Sequence, residues 1–212
     1  MKRILSMGTA LLLAAGLAAC GNGAKEAVLE TNPADTAEPE TAGSETPAEN
    51  STEEESVLVV FFSETGTTRD IAEKIASVTG GGLYEIKAAQ EYTEEDLDWH
   101  DNESRTTKEQ NDPSVRPEIS SDPVSLTGYD TVYLGYPIWW GQEPRILDTF
   151  AESNDFTDLT VIPFCTSASS GIGASSKNLA ALAGTGNWLD GQRFSAGTSA
   201  ADIESCISSL QN

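Results

Sequence analysis

Four hydroxyl side chains stand within six residues at Ser63-Glu64-Thr65-Gly66-Thr67-Thr68, with one glycine among them. Hydroxyls donate hydrogen bonds to an anion without adding charge, and glycine lets the backbone approach a ligand closely. The six residues before this loop, Val57-Leu58-Val59-Val60-Phe61-Phe62, form an unbroken apolar run, which fits a strand buried on both faces of a parallel sheet. After it, Ile71, Ala72, Ile75, Ala76 and Val78 recur with helical spacing within residues 69–79. Strand, hydroxylated loop and helix start thus follow one another directly. A helix N-terminus has unpaired N–H groups and a partial positive charge, so the junction suits a phosphate. The alternative is that Thr67 or Thr68 only caps the helix. No G-x-x-x-x-G-K-[ST] occurs and the junction is not G-x-G-x-x-G, which disfavours an ATPase or a dinucleotide-binding fingerprint.

Two further segments have a composition suited to a ligand. Tyr129 to Tyr136 reads as a strand that runs into Pro137-Ile138-Trp139-Trp140-Gly141. Paired indoles at the carboxyl end of a strand offer a stacking surface for a flat ring; the alternative is that both are core. Leu159 to Cys165 reads as another buried strand, followed by Thr166-Ser167-Ala168-Ser169-Ser170-Gly171-Ile172-Gly173, rich again in hydroxyls and glycine. In doubly wound sheets ligands sit outside the carboxyl ends of strands, where strand order reverses.

The elements between these loops follow a regular alternation. Leu83 to Lys87 alternates like a second strand, Glu143 to Glu152 and Lys177 to Ala183 read as helices, Trp188 to Phe194 suggests a short fifth strand, and Ala200 to Leu210 a closing helix. Alternating strands and helices imply a parallel sheet with right-handed crossovers. One long polar excursion, 88–123, interrupts the order. It carries a short helix expected around Tyr92, Leu97 and Trp99 and another over 102–110, and an insertion of this length usually covers a site or carries function.

Charge and cysteine usage exclude other classes. From Val57 onward 24 acidic residues face nine Lys and Arg, a net −15, which argues against nucleic acid and against an anionic membrane surface. Such a surface can steer docking onto a basic partner, or serve solubility alone. Beyond Cys20 there are only Cys165 and Cys206, and His100 is the sole histidine. A catalytic triad or a multi-histidine zinc site therefore lacks its partners. The two cysteines read as buried thiols, with a disulfide as the alternative.

The N-terminal residues read as addressing rather than fold. Lys2 and Arg3 precede an apolar run that ends at Leu17-Ala18-Ala19-Cys20, a secretory signal too short for a comfortable membrane span. Residues 21–56 hold ten acidic residues and one Lys, with few apolar side chains above Ala, so they are expected to stay disordered and act as a tether. The expected organisation is signal 1–19, acidic tether 20–56 and one domain over 57–212.

Two resemblances sharpen this reading. Leu-Ala-Ala-Cys resembles the lipobox of bacterial lipoproteins, which implies lipidation at Cys20 and an extracytoplasmic, membrane-anchored protein; an ordinary secretory signal is the alternative. Ser63 to Thr68 resembles the [ST]-x-T-G-x-T loop with which flavodoxins hold the phosphate of FMN, and the whole stretch from Val57 is similar to that family, most of all to its secreted or lipid-anchored bacterial group. The resemblance implies an α/β, flavodoxin-like, doubly wound five-stranded parallel sheet in the order 2-1-3-4-5 with helices on both faces. It implies FMN held by Ser63, Glu64, Thr65, Gly66, Thr67 and Thr68, with Pro137, Ile138, Trp139, Trp140 and Gly141 along the isoalloxazine. Thr166, Ser167, Ala168 and Gly171 would close the other side. It also implies that a peptide at Gly141 can turn over when the flavin is reduced. No metal is implied. The function expected is electron transfer to a redox partner protein or a small-molecule acceptor. The alternatives are an FMN-dependent NAD(P)H:quinone-type reductase, or a surface binding protein that keeps the fold without the flavin. The second loop has two tryptophans, the third lacks an aromatic residue and the excursion is long, all departures from small electron-carrier flavodoxins.

Overall fold

Side chains of Val57–Phe62 (β1) alternate between two cores. Leu58, Val60 and Phe62 enter one, Val59 and Phe61 the other, and all five are buried. That is the period of two expected of a strand covered on both faces. The computed structural model describes residues 56–210; the signal segment, Cys20 and the acidic stretch up to Glu55 lie outside the described residues.

The strand leads into Thr67–Thr79 (α1), then Gly82–Ile86 (β2), the excursion with Arg105–Asn111 (α2), Thr131–Pro137 (β3) and Arg145–Ser153 (α3). Thr160–Thr166 (β4), Ser175–Ala183 (α4), Asn187–Trp188 (β5), Gln192–Phe194 (β6) and Ala200–Leu210 (α5) complete the order. All strand pairs are parallel and the order is β2-β1-β3-β4-β5, with β6 also on β4. Ile71 and Ile75 of α1 and Ile203 and Ile207 of α5 cover one face. Ile146, Leu147 and Phe150 of α3 and Leu179 of α4 cover the other. Among the described residues no helix is long and apolar enough to cross a membrane.

The fifth strand position differs from the expectation of one short strand, for a reason that lies in β4. Val161 pairs with Trp188 and Phe164 with Gln192, so the edge segment spends one residue more than β4 over the same span. Val161 accepts a hydrogen bond from Leu189 N–H on that side, and residue 163 has the same parity. Residue 163 is a proline and has no N–H to offer. The edge strand splits where its partner lacks a donor.

The excursion departs from expectation as well. No helix forms around Tyr92 to Trp99. Thr93 and Asp96 cap each other's backbone N–H groups and start a single turn. Asp98 and Asp101 then bond the N–H groups of His100 and Glu103. Short acidic side chains that bind nearby backbone compete with helix formation. The helix that does form begins at Ser104, whose hydroxyl accepts from Thr107 N–H.

Candidate functional site

The carboxyl ends of β1, β3 and β4 meet at one trough, because those strands are neighbours in the sheet. The trough has two adjoining compartments of about 520 and 510 Å³. They share Thr65, Pro137, Ile138, Trp139, Ser167 and Ala168. Only the second reaches Thr67, Thr166 and Ser195; only the first reaches Glu64, Leu97, Trp99 and Thr106. Volumes of this order are those of small-ligand sites.

The first loop is shaped by its own side chains. Gly66 sits at the N-cap of α1 with φ +83°, a left-handed conformation that glycine adopts without steric cost. The Ser63 hydroxyl accepts the Arg69 N–H, so Ser63 braces the loop and lines neither compartment. Thr67 does not cap the helix by a side-chain bond; no side-chain cap is made there. Thr65 is exposed to the trough, while Thr68 is buried and its hydroxyl bonds that of Thr166 at 2.8 Å. One hydroxyl of that pair donates to the other, so the second keeps its own hydrogen for a further acceptor. Burial raises the pKa of Glu64, and the nearby Arg105 charge opposes this.

In the second loop the two tryptophans divide their roles. Trp139 is half-buried and meets Phe62 and Tyr92 edge-on, with ring centroids at 5.7 and 5.4 Å. Trp140 is exposed. Backbone bonds in both directions between Trp139 and Gln142 close a two-residue turn, and both central residues have positive φ, Trp140 at +49° and Gly141 at +76°. A turn of this kind favours Asn-Gly or Gly-Gly, so Trp140 holds a strained conformation.

The excursion pins this loop. The Tyr92 hydroxyl donates to Glu109 at 2.7 Å, Arg105 donates to the same carboxylate at 2.7 Å, and the guanidinium lies 3.8 Å from the Tyr92 ring centre. Tyr92 therefore cannot swing away from Trp139 without losing its hydrogen bond to Glu109 and its contact with the Arg105 guanidinium. Further along, Gln110 donates to the Glu143 carbonyl, and Arg145 donates to the carbonyls of Glu109 and Gln110. Glu143 is itself buried, and burial raises its pKa; its side chain accepts from Asn178 of α4.

The third loop is held by a residue that sequence reasoning missed. Arg193 of β6 donates to the carbonyls of Ser167 and Ala168 at 3.0 and 2.8 Å and to the Ser167 hydroxyl at 3.1 Å. Ser167 also donates to the Ser170 carbonyl. Deeper in, Tyr136 and Ser175 share a hydrogen bond of 2.9 Å, and Ser175 bonds the Ile172 carbonyl. Gly171 is exposed and outside the trough lining. Cys165 is buried at the base of this loop, its thiol pKa pushed up to about 12 by burial, and both it and Cys206 are free thiols.

The trough thus offers neutral hydroxyl donors and a helix N-terminus at one end and aromatic walls at the other. Its lining contains no Lys, Arg, His or Cys. That donor set fits a phosphorylated molecule carrying a flat ring system.

Comparison with known proteins agrees in family. The family model described as flavodoxin matches residues 56–210. The chain belongs to the flavodoxin family. A solved structure of a candidate flavoprotein from Bacteroides uniformis is 44% identical, covering 73% of this chain and 98% of that one, with a TM-score of 0.69. A second candidate flavoprotein, from Bacteroides eggerthii, is 41% identical over 74% of this chain and 98% of that one, also at 0.69. A flavoprotein from Lactobacillus acidophilus, solved in complex with FMN, shares the fold at 22% identity and a TM-score of 0.55, over 71% of this chain and 99% of that one. No curated protein matches the chain. The excursion is thus part of a flavodoxin domain here, and it contributes Leu97, Trp99 and Thr106 to the trough. A tryptophan in an otherwise polar stretch and the length of the excursion are the sequence signals of this contribution.

Proposed function

We propose that the chain binds FMN in this trough and passes electrons through it, outside the cell membrane, tethered by a lipid on Cys20. The observation that carries the reading is the convergence of three loops on one trough, hydroxyl donors at one end and indoles at the other. Thr65, Thr67 and the N–H groups of Thr67 and Thr68 at the start of α1 would take the phosphate, where the helix dipole favours an anion. Pro137, Ile138, Trp139 and Trp140 would wall one side of the ring system, and Ser167 and Ala168 the other. One phosphate loop and no dinucleotide motif favour FMN over FAD, and FMN is the ligand of the Lactobacillus acidophilus neighbour. The flavin, when bound, supplies the redox chemistry; the protein supplies binding, orientation and electrostatics. The domain's net negative charge disfavours a reduced, anionic cofactor and suits a basic redox partner.

A reductase acting on a small molecule is the second reading, favoured by the extension of the trough to the excursion at Leu97 and Trp99. The test of the main reading is to purify the full-length protein, record its absorbance, release any ligand by heat and identify it by chromatography. Recovery of FMN supports the proposal; recovery of FAD, or failure to take up added FMN, refutes it.

A further inference from the structure

Arg193 differs from the other arginines among the described residues in its partners. Arg69 pairs with Glu85, Arg105 with Glu109, Arg116 with Glu152 and Arg145 with Asp148. Arg193 meets no carboxylate among the described residues and spends its donors on neutral acceptors, the Ser167 and Ala168 carbonyls and the Ser167 hydroxyl. Its place follows from register. β6 pairs with β4 so that Arg193 lies opposite Cys165, and the third loop leaves β4 just beyond. In a domain of net charge −15, a guanidinium without a carboxylate thus stands behind two residues that line the trough.

These bonds also orient the loop. In a planar trans peptide the C=O and N–H point in opposite directions. With the Ser167 and Ala168 carbonyls turned to Arg193, the N–H groups of the same two peptides, those of Ala168 and Ser169, are turned away from it. Neither N–H has an acceptor among the described residues, and both residues line the trough. Two N–H groups turned one way, with a cation behind them, favour negative charge in front of them. A lysine could supply the charge, but not the planar fork that holds two carbonyls and a hydroxyl together.

We propose that Arg193 is a positioning residue for the redox step. It turns the Ala168 and Ser169 N–H groups toward the cofactor, and its unpaired charge favours the reduced, anionic form that the acidic domain otherwise opposes. This rests on the flavin reading and deepens it. Two electrons taken up with one proton leave the reduced cofactor anionic, and two electrons with two protons leave it neutral; Arg193 favours the first.

The experiment is reductive titration of the full-length protein loaded with FMN. Dithionite supplies both electrons and is oxidised to sulfite, and solvent supplies the proton. Arg193→Gln, which removes the charge, should weaken reduced FMN about tenfold more than oxidised FMN, a fall in midpoint potential of about 30 mV for a two-electron couple. Arg193→Lys, which keeps the charge and loses the fork, should move the midpoint less than half as far. A brace without an electrostatic role would weaken both forms equally, so an unchanged or raised midpoint in Arg193→Gln would overturn the proposal. A shift as large in Arg193→Lys would overturn it too, by assigning the effect to loop geometry alone. The wild-type protein gives a check that needs no folded variant. Below neutral pH its midpoint should fall by about 30 mV per pH unit, one proton for two electrons, and a slope of about twice that would overturn the proposal. Failure of the wild-type protein to take up FMN would refute the flavin reading and this proposal with it, whereas FMN uptake with a midpoint indifferent to Arg193→Gln would refute this proposal alone.

Discussion

The hydroxyls of Thr68 and Thr166 lie 2.8 Å apart, buried, although 98 residues separate them in the chain. The first belongs to the loop after β1 and opening α1, the second ends β4, and the bond fixes the distance across the trough. It holds the first and third loops at a set separation, without which neither could present its groups to one ligand. Thr68→Val should leave the Thr166 hydroxyl buried without this partner and cost about 1–3 kcal/mol of stability. Replacing both by Val should cost less than the sum of the single changes, because the orphaned group is then gone. Urea unfolding of the four proteins measures this; additive losses would show that the bond contributes nothing of its own.

Thr65 and Thr67 face the trough rather than each other. If they donate to a phosphate, Thr65→Val and Thr67→Val should each weaken FMN by roughly 1–3 kcal/mol. Riboflavin, which lacks the phosphate, should lose far less. Fluorescence titration with both ligands gives the comparison, and equal losses would place the phosphate elsewhere.

Gly141 offers a purely conformational test. Its φ is +76° and nothing lies within 4 Å of a Cβ added there, so only the backbone opposes a side chain. Gly141→Ala should cost on the order of 1 kcal/mol of stability. Gly141→Asn should cost less than half as much, since Asn tolerates the left-handed region. Equal costs for the two would mean that the turn relaxes into another conformation.

Glu143 sets a pH dependence. Burial raises its pKa above the ordinary 4.5, so between that value and its folded pKa the native state holds more protons than the unfolded state. Stability contributed by this group is therefore greatest at low pH and is lost as pH rises through the folded pKa. Glu143→Gln keeps an acceptor for Asn178 and removes the ionisation. It should raise the thermal midpoint at neutral pH, with the advantage over wild type shrinking below about 4.5. An advantage that grows on acidification would refute this.

The location proposed for the protein rests on Cys20. Cys20→Ala should move the full-length protein from the membrane fraction to the soluble fraction, because the lipid is the anchor proposed for this chain. Retention in the membrane pellet after a salt wash would point to another anchor.

The amino-acid sequence alone determined the order of strands and helices outside the excursion and the edge strand, the Ser63–Thr68 loop and the Pro137–Gly141 loop. Each of these is written in neighbouring residues: a buried strand in its continuous apolar run, a helix in its spacing, a tight turn in its glycine. Tertiary structure decided how adjacent residues of one type differ. Trp139 is half-buried because Tyr92, fixed by Glu109 and Arg105, meets it from the excursion, while Trp140 next to it is turned out by a left-handed backbone. The split of the edge strand depends on Pro163 in another strand, and the shape of the third loop on Arg193, which lies beyond the following helix. Trp99 reaches the trough only because an acidic excursion folds into turns and a short helix over the carboxyl ends of the sheet. In each case the deciding partner is distant in the chain, and local composition carries no record of which distant side chain will arrive.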